Sequence, residues 1–135
     1  MEAKMRFRSD AEVWSVVEKF ESCTFELAEF DHGRHLAVGM AYLSAESFEE
    51  AMRRMRASLQ QFSAHHGKTG YHETITRFWL EQLREVRASE QGEELWALCN
   101  RAAERLADKE LIFAYYSREL LTSADARENW VAPRR

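Results

Sequence analysis

All five histidines of this 135-residue chain, His32, His35, His65, His66 and His72, fall between positions 32 and 72. His32 and His35 stand in an HxxH spacing, which on a helix sets two imidazoles on adjacent turns, close enough to share one metal ion. His32 lies four residues before Leu36 and eight before Met40, so helical periodicity places it on their apolar stripe. His72, three residues before Ile75 and seven before Trp79, opens a second apolar stripe in the same way. His66 extends the Phe62 stripe but overshoots the level of His32, leaving it with His65 at a cap or loop. The chemistry these positions predict is one divalent ion, iron or zinc, held by His32, His35, His72 and the carboxylate of Glu73. The catalytic candidates are then His72, Glu73 and Tyr71, with Glu73 as ligand, hydrogen-bond acceptor or general base and the Tyr71 phenol orienting what binds.

Each candidate also has a structural use. Glu73 is a first-turn carboxylate, which favours the helix dipole by about 0.3 to 1 kcal/mol without any catalysis. Tyr71 can staple the helix start, and Thr76 can bond its own backbone. Glu29 and His32 have the ExxH spacing of carboxylate-bridged di-iron bundles, but a second ExxH is absent. Cys23 and Cys99 are separated by 76 positions with no CxxC spacing, so they point to buried thiols and not to a thiolate metal site or nucleophile. Tyr115 and Tyr116 read as cover for a core edge, and Met40, Met52 and Met55 as core filling. The run EEAMRRMR places Arg53, Arg54 and Arg56 on a solvated face.

The elements that must position these residues are helical. Ser9 with Glu12, and Ser47 with Glu50, have the form of capping boxes. Val13, Trp14, Val17 and Phe20 predict a helix over residues 10–22. Residues 25–30, FELAEF, fit a helical turn or an extended link equally. Asp31 caps a second helix over 32–43, and Phe48, Met52, Met55, Leu59 and Phe62 mark a third that runs from the Ser47 cap to about residue 66, where Gly67 ends it. Ile75, Trp79, Leu83 and Val86 define a fourth from about residue 71, and Leu95, Leu98, Ala102 and Leu106 a fifth. LIFAYYSRELL reads as a sixth helix, and Ser123 caps a short final one, ADAREN, after which Trp130 is expected to fold back onto the bundle. The fold class is therefore all-α: one compact up-and-down bundle of about five to six helices plus a short C-terminal helix, filling a single domain over 1–135. Short connections then bring the starts of helices two and four and the end of helix three to one end of the bundle.

Composition agrees and excludes several classes. Only five glycines and one proline leave little room for turns or irregular sheets, and 45% apolar content supports a real core. The net charge of −4, with 23 acidic and 19 basic residues interspersed, argues against nucleic acid as partner. No apolar run reaches membrane-spanning length and the beginning lacks a signal-peptide pattern, so the expectation is a cytoplasmic protein with no membrane partner. A small-molecule substrate or ligand, and self-association into an oligomer, remain as partners.

FDHGRHL, FSAHHG, YHETITRFW, YYSRELL and NWVAP, taken in order, resemble a family of small all-helical bacterial proteins with an F-x-H-x-x-H-L element followed by YHET-I-T. The resemblance spans residues 14–133 and matches the pattern at Phe30, His32, His35, Leu36, Tyr71, His72, Glu73 and Thr74. It implies a grouping and no activity. In architecture, histidines at the mouth of a bundle are similar to the metal-dependent DinB-like and haem-oxygenase-like folds, an analogy of fold alone. Two functions follow: a small metal-dependent enzyme with its site at one end of the bundle, or a non-catalytic binding or scaffolding module whose histidines are satisfied structurally.

Overall fold

Residues 36–43, LAVGMAYL, carry no charge and are buried without exception. A helix that is apolar all round must be surrounded. In the computed structural model, which describes residues 6–134, this helix is the centre of the molecule. It is α2 (His32–Ala45), and it packs against α1 (Asp10–Glu21), α3 (Phe48–His65), α4 (Glu73–Ser89) and α5 (Leu95–Arg105). Residues 1–5 and 135, part of the single domain read from the sequence, lie outside the described residues. Among those described, no helix is long and apolar enough to cross a membrane.

Close approach of α4 to α2 depends on Gly39, where a Cβ would lie 2.6 Å from Leu83 Cδ1 and 3.3 Å from Leu80 Cδ2. The surrounding helices show the amphipathic pattern expected: Val13, Val17 and Phe20 of α1, and Met52, Met55 and Phe62 of α3, are buried. The methionines of that stripe are core residues, Met40, Met52 and Met55 being at most 2% exposed.

The caps follow local chemistry. Ser9, Asp31 and Ser47 each accept from the backbone N–H three residues on, satisfying one of the donors left open at a helix start. Glu12 reaches back one residue further than a capping box requires, to the N–H of Arg8 at 2.7 Å. Asn100 of α5 exchanges two hydrogen bonds with the backbone of Phe7, at 2.8 and 2.9 Å, fastening the first described residues to the bundle. The ambiguous stretch 25–30 holds a 3-10 turn, Leu27–Glu29, with Phe30 stacked on Phe20 at 4.2 Å.

The sixth helix expected over LIFAYYSRELL does not form as one element. A 3-10 helix, Lys109–Ala114, opens on the Asp108 side chain and ends at Tyr115. Tyr116 then makes an isolated parallel bridge with Arg134, and Ser117 restarts the chain as a cap for α6 (Arg118–Leu121). The break has a physical cause: the Tyr116 side chain is buried, its hydroxyl donates to Val131 O at 2.7 Å, and Ser117 N–H donates to Arg134 O at 2.9 Å, so the backbone is spent on the C-terminal tail. Then comes α7 (Ala124–Glu128), capped by Ser123 as expected. Trp130 lies back on the bundle at its surface, 44% exposed, with the Arg77 guanidinium of α4 5.4 Å from its ring centre.

Candidate functional site

The site is built on the first turns of α2 and α4. Asp31 accepts from Arg34 N–H at 3.0 Å, which starts α2 at His32 and sets His35 one turn further along. The Nε2 of His32 donates to Leu106 O at 2.8 Å, a carbonyl at the end of α5 that has no helical partner of its own. Its ring meets Trp79 edge-on, with centroids 4.9 Å apart.

His35 is wired differently. Its ring packs at 5.2 Å against Phe30 and has no hydrogen-bond partner among the described residues. Burial, reinforced by the nearby His32, lowers its pKa from the ordinary 6.5 to about 4, so the imidazole is neutral at physiological pH. Both rings open on a cavity of about 130 Å³ whose other walls include Met55, Ile75, Trp79 and Leu83. The lining is mostly apolar and contains no charged side chain.

α4 starts at Glu73, two residues later than expected, and His72 is the cap itself. Its Nδ1 accepts from Ile75 N–H at 3.1 Å and its Nε2 donates to Leu121 O at 2.7 Å, an arrangement that assigns the hydrogen to Nε2. Thr76 closes the turn by donating from its hydroxyl to His72 O at 2.8 Å, the backbone use open to it from the sequence. Glu73 points away from this ring. Arg56 of α3 grips it with two bonds, at 3.0 and 2.7 Å, and the Tyr71 hydroxyl donates to it at 2.6 Å. Arg56 is the main reason the Glu73 carboxyl titrates below its ordinary range, and burial together with the bond to Glu73 raises the Tyr71 phenol above its own.

The four ligands proposed from sequence are therefore divided. His32 and His35 share a cavity, His72 has both ring nitrogens committed to backbone groups, and Glu73 is held by a guanidinium and a phenol. Among the described residues, no group of three or more His, Cys, Asp or Glu side chains is placed to hold a metal ion. Tyr71 positions Glu73 and faces no pocket shared with the histidines. His66, capping the end of α3, donates to Phe25 O at 3.0 Å, and His65 is exposed with its ring edge-on to that of His66.

Three features of the site had no clear sequence signal. Arg56 and its neighbour Arg54 are not a free solvated face: Arg56 holds Glu73, and Arg54 bridges Glu21 and Glu46 while stacking 4.4 Å from the Tyr42 ring. The backbone carbonyls that receive histidine N–H groups are those of Leu106 and Leu121, residues whose side chains have no polar character. Phe30, which packs against His35, stands in the FDHGRHL stretch and is held there by the rings of Phe20, Phe25 and Phe62. The remaining candidates are structural. Burial pushes the Cys99 thiol up to about 12, Tyr115 lies 5.3 Å from Phe78 at a core edge, and Cys23 takes a left-handed backbone angle of φ +58° at the end of α1.

In comparisons with known proteins, no family model matches the chain, no curated protein is significantly similar to it, and no solved structure matches its fold. The site must be read from its own chemistry.

Proposed function

We propose that the protein is a non-catalytic binding module that takes a small molecule into the cavity between the first turns of α2 and α4. The observation that carries this reading is the imidazole of His35, half-buried against an apolar cavity with no hydrogen bond from its ring among the described residues, in a molecule where His32, His66 and His72 each have a backbone partner. An unpaired polar group in such surroundings costs about 1 to 3 kcal/mol, a cost that a ligand bonded to it would remove. The other half of the support is what the candidate catalytic groups are already doing: Tyr71, His72 and Glu73 hold a helix start together.

The metal-dependent alternative needs His72 to give up at least its bond from Ile75 N–H, and Glu73 to turn from Arg56. One experiment separates the two readings. Protein purified without tag or chelator is analysed for metals beside His72→Ala, while toluene is titrated into it and the Met55 and Leu83 methyl resonances are followed. Toluene shifts confined to those methyls support the binding reading. About one iron or zinc per chain, lost in the variant, together with methyls that toluene does not move, would overturn it.

A further inference from the structure

We propose that the ligand of this cavity is a neutral single-ring aromatic bearing one hydroxyl, of the phenol class, with its ring among Met55, Trp79 and Leu83 and its hydroxyl on His35. This rests on the binding reading above and adds to it the chemistry of the occupant. Size comes first. An apolar cavity of about 150 Å³ accommodates a benzene ring, and this one, at about 130 Å³, takes a ring of that size and little more.

Charge comes second. No Lys, Arg, Asp or Glu lines the cavity, so an ionised ligand would leave water with no compensating partner. A carboxylate or an ammonium is excluded on that ground.

Polarity comes third. A neutral imidazole offers one donor and one acceptor, and a hydroxyl offers the same pair. Neither nitrogen of His35 is engaged by a group among the described residues, whereas His32 has committed its Nε2 hydrogen to Leu106 O and Thr76 has committed its hydroxyl hydrogen to His72 O. The cavity therefore has one principal polar contact to offer, and His35 supplies it. Apolar lining completes the match: the Met55 thioether favours an aromatic edge, and the Trp79 ring, with His32 edge-on to it, gives one wall a flat face.

A site built to bond a hydroxyl rejects the analogue that lacks one, because its own polar group is then buried unpaired. The test compares phenol, toluene and benzoate as probes on the full chain, by titration calorimetry and by the imidazole ¹⁵N resonances of His35, with His35→Leu alongside. The expected result is that phenol binds at least about tenfold more tightly than toluene, that benzoate binds more weakly than either, and that phenol moves the His35 ¹⁵N resonances while toluene does not. In His35→Leu the order of phenol and toluene inverts. Because the ¹⁵N measurement uses the unaltered protein, it stands whether or not the variant folds. Equal affinity for phenol and toluene with unmoved His35 nitrogens would overturn the hydroxyl contact and leave the binding reading in place. Tightest binding by benzoate would overturn the neutral ligand. A cavity that neither phenol nor toluene perturbs would overturn both readings together.

Discussion

At the start of α4, His72 accepts one backbone hydrogen bond and donates another; one turn into α2, His35 does neither. Both imidazoles lie inside the same bundle, near the end of a helix, on an apolar stripe. The difference is in their neighbours. Around His72 the chain brings a helix's own first-turn N–H and a carbonyl from the end of α6, while around His35 it brings Phe30, Met55 and Leu83. Position on a helix thus says that a histidine is inward. Whether it is a fastening or a contact for something else depends on which backbone groups lack partners nearby.

The comparison is broken most severely at the fastening. His72→Ala leaves Ile75 N and Leu121 O without partners and should cost about 2 to 3 kcal/mol in urea denaturation. Thr74→Val belongs to the same seam, since the Thr74 hydroxyl donates to Asn129 O at 2.8 Å and accepts from Val131 N–H at 3.2 Å, and about 1 to 2 kcal/mol is expected there. A loss under about 0.5 kcal/mol in both would show that the contact between α4 and the C-terminal segment is not what holds the helix start.

Acid sharpens the other side. His35 has a folded pKa of about 4 against an ordinary 6.5, so the unfolded chain takes up the proton first. Stability is fully present above about pH 6.5 and is lost as pH falls toward 4, by up to about 2 kcal/mol once the accessible edge of the ring is allowed for. His35→Leu should flatten the curve through that window, and parallel curves for variant and parent would remove His35 as the cause. Glu73 contributes at lower pH, where protonation weakens its hold on Arg56.

Arg56→Ala comes next in size. The pair it breaks is partly solvated, so about 1 kcal/mol or less is expected, with toluene and phenol titrations unchanged because Glu73 does not line the cavity. A change in probe affinity would reconnect Glu73 to the site. The smallest effect is His35→Leu near neutral pH: exchanging an unpaired imidazole for an apolar side chain should leave stability within about 0.5 kcal/mol of the parent, or above it. A large loss there would mean that His35 is itself a fastening.

Much of the fold was legible because capping chemistry and helical periodicity are local. Ser9, Asp31 and Ser47 marked helix starts that the structure keeps, whereas the single apolar stripe read on the second helix understated it, since every residue from 36 to 43 is buried. What was not legible depended on partners far along the chain. Helix formation over residues 111–121 yields to a tail that bonds Tyr116 and Ser117, and no spacing in LIFAYYSRELL records the carbonyls of Val131 and Arg134. The same holds at the site. Periodicity turned His32, His35 and His72 inward, and the shared location was right for the first two. It carried no information about Leu121 O, 49 residues from His72, or about Arg56, 17 residues before Glu73.

The seam between α4 and the tail also sets an order of events during synthesis. A nascent chain grows from its first residue, so α1 to α5 leave the ribosome before residues 121–134 exist outside it. Until then the first turn of α4 has no carbonyl for His72, and Thr74 has neither Asn129 nor Val131 to join. A chain released at residue 120 would carry the whole cavity wall of α2, α3 and α4 but would lack the clasp on one of them. One wall of the cavity is in this way fastened by residues far along the chain: the clasp on the first turn of α4 closes only when Leu121, Asn129 and Val131 have joined it.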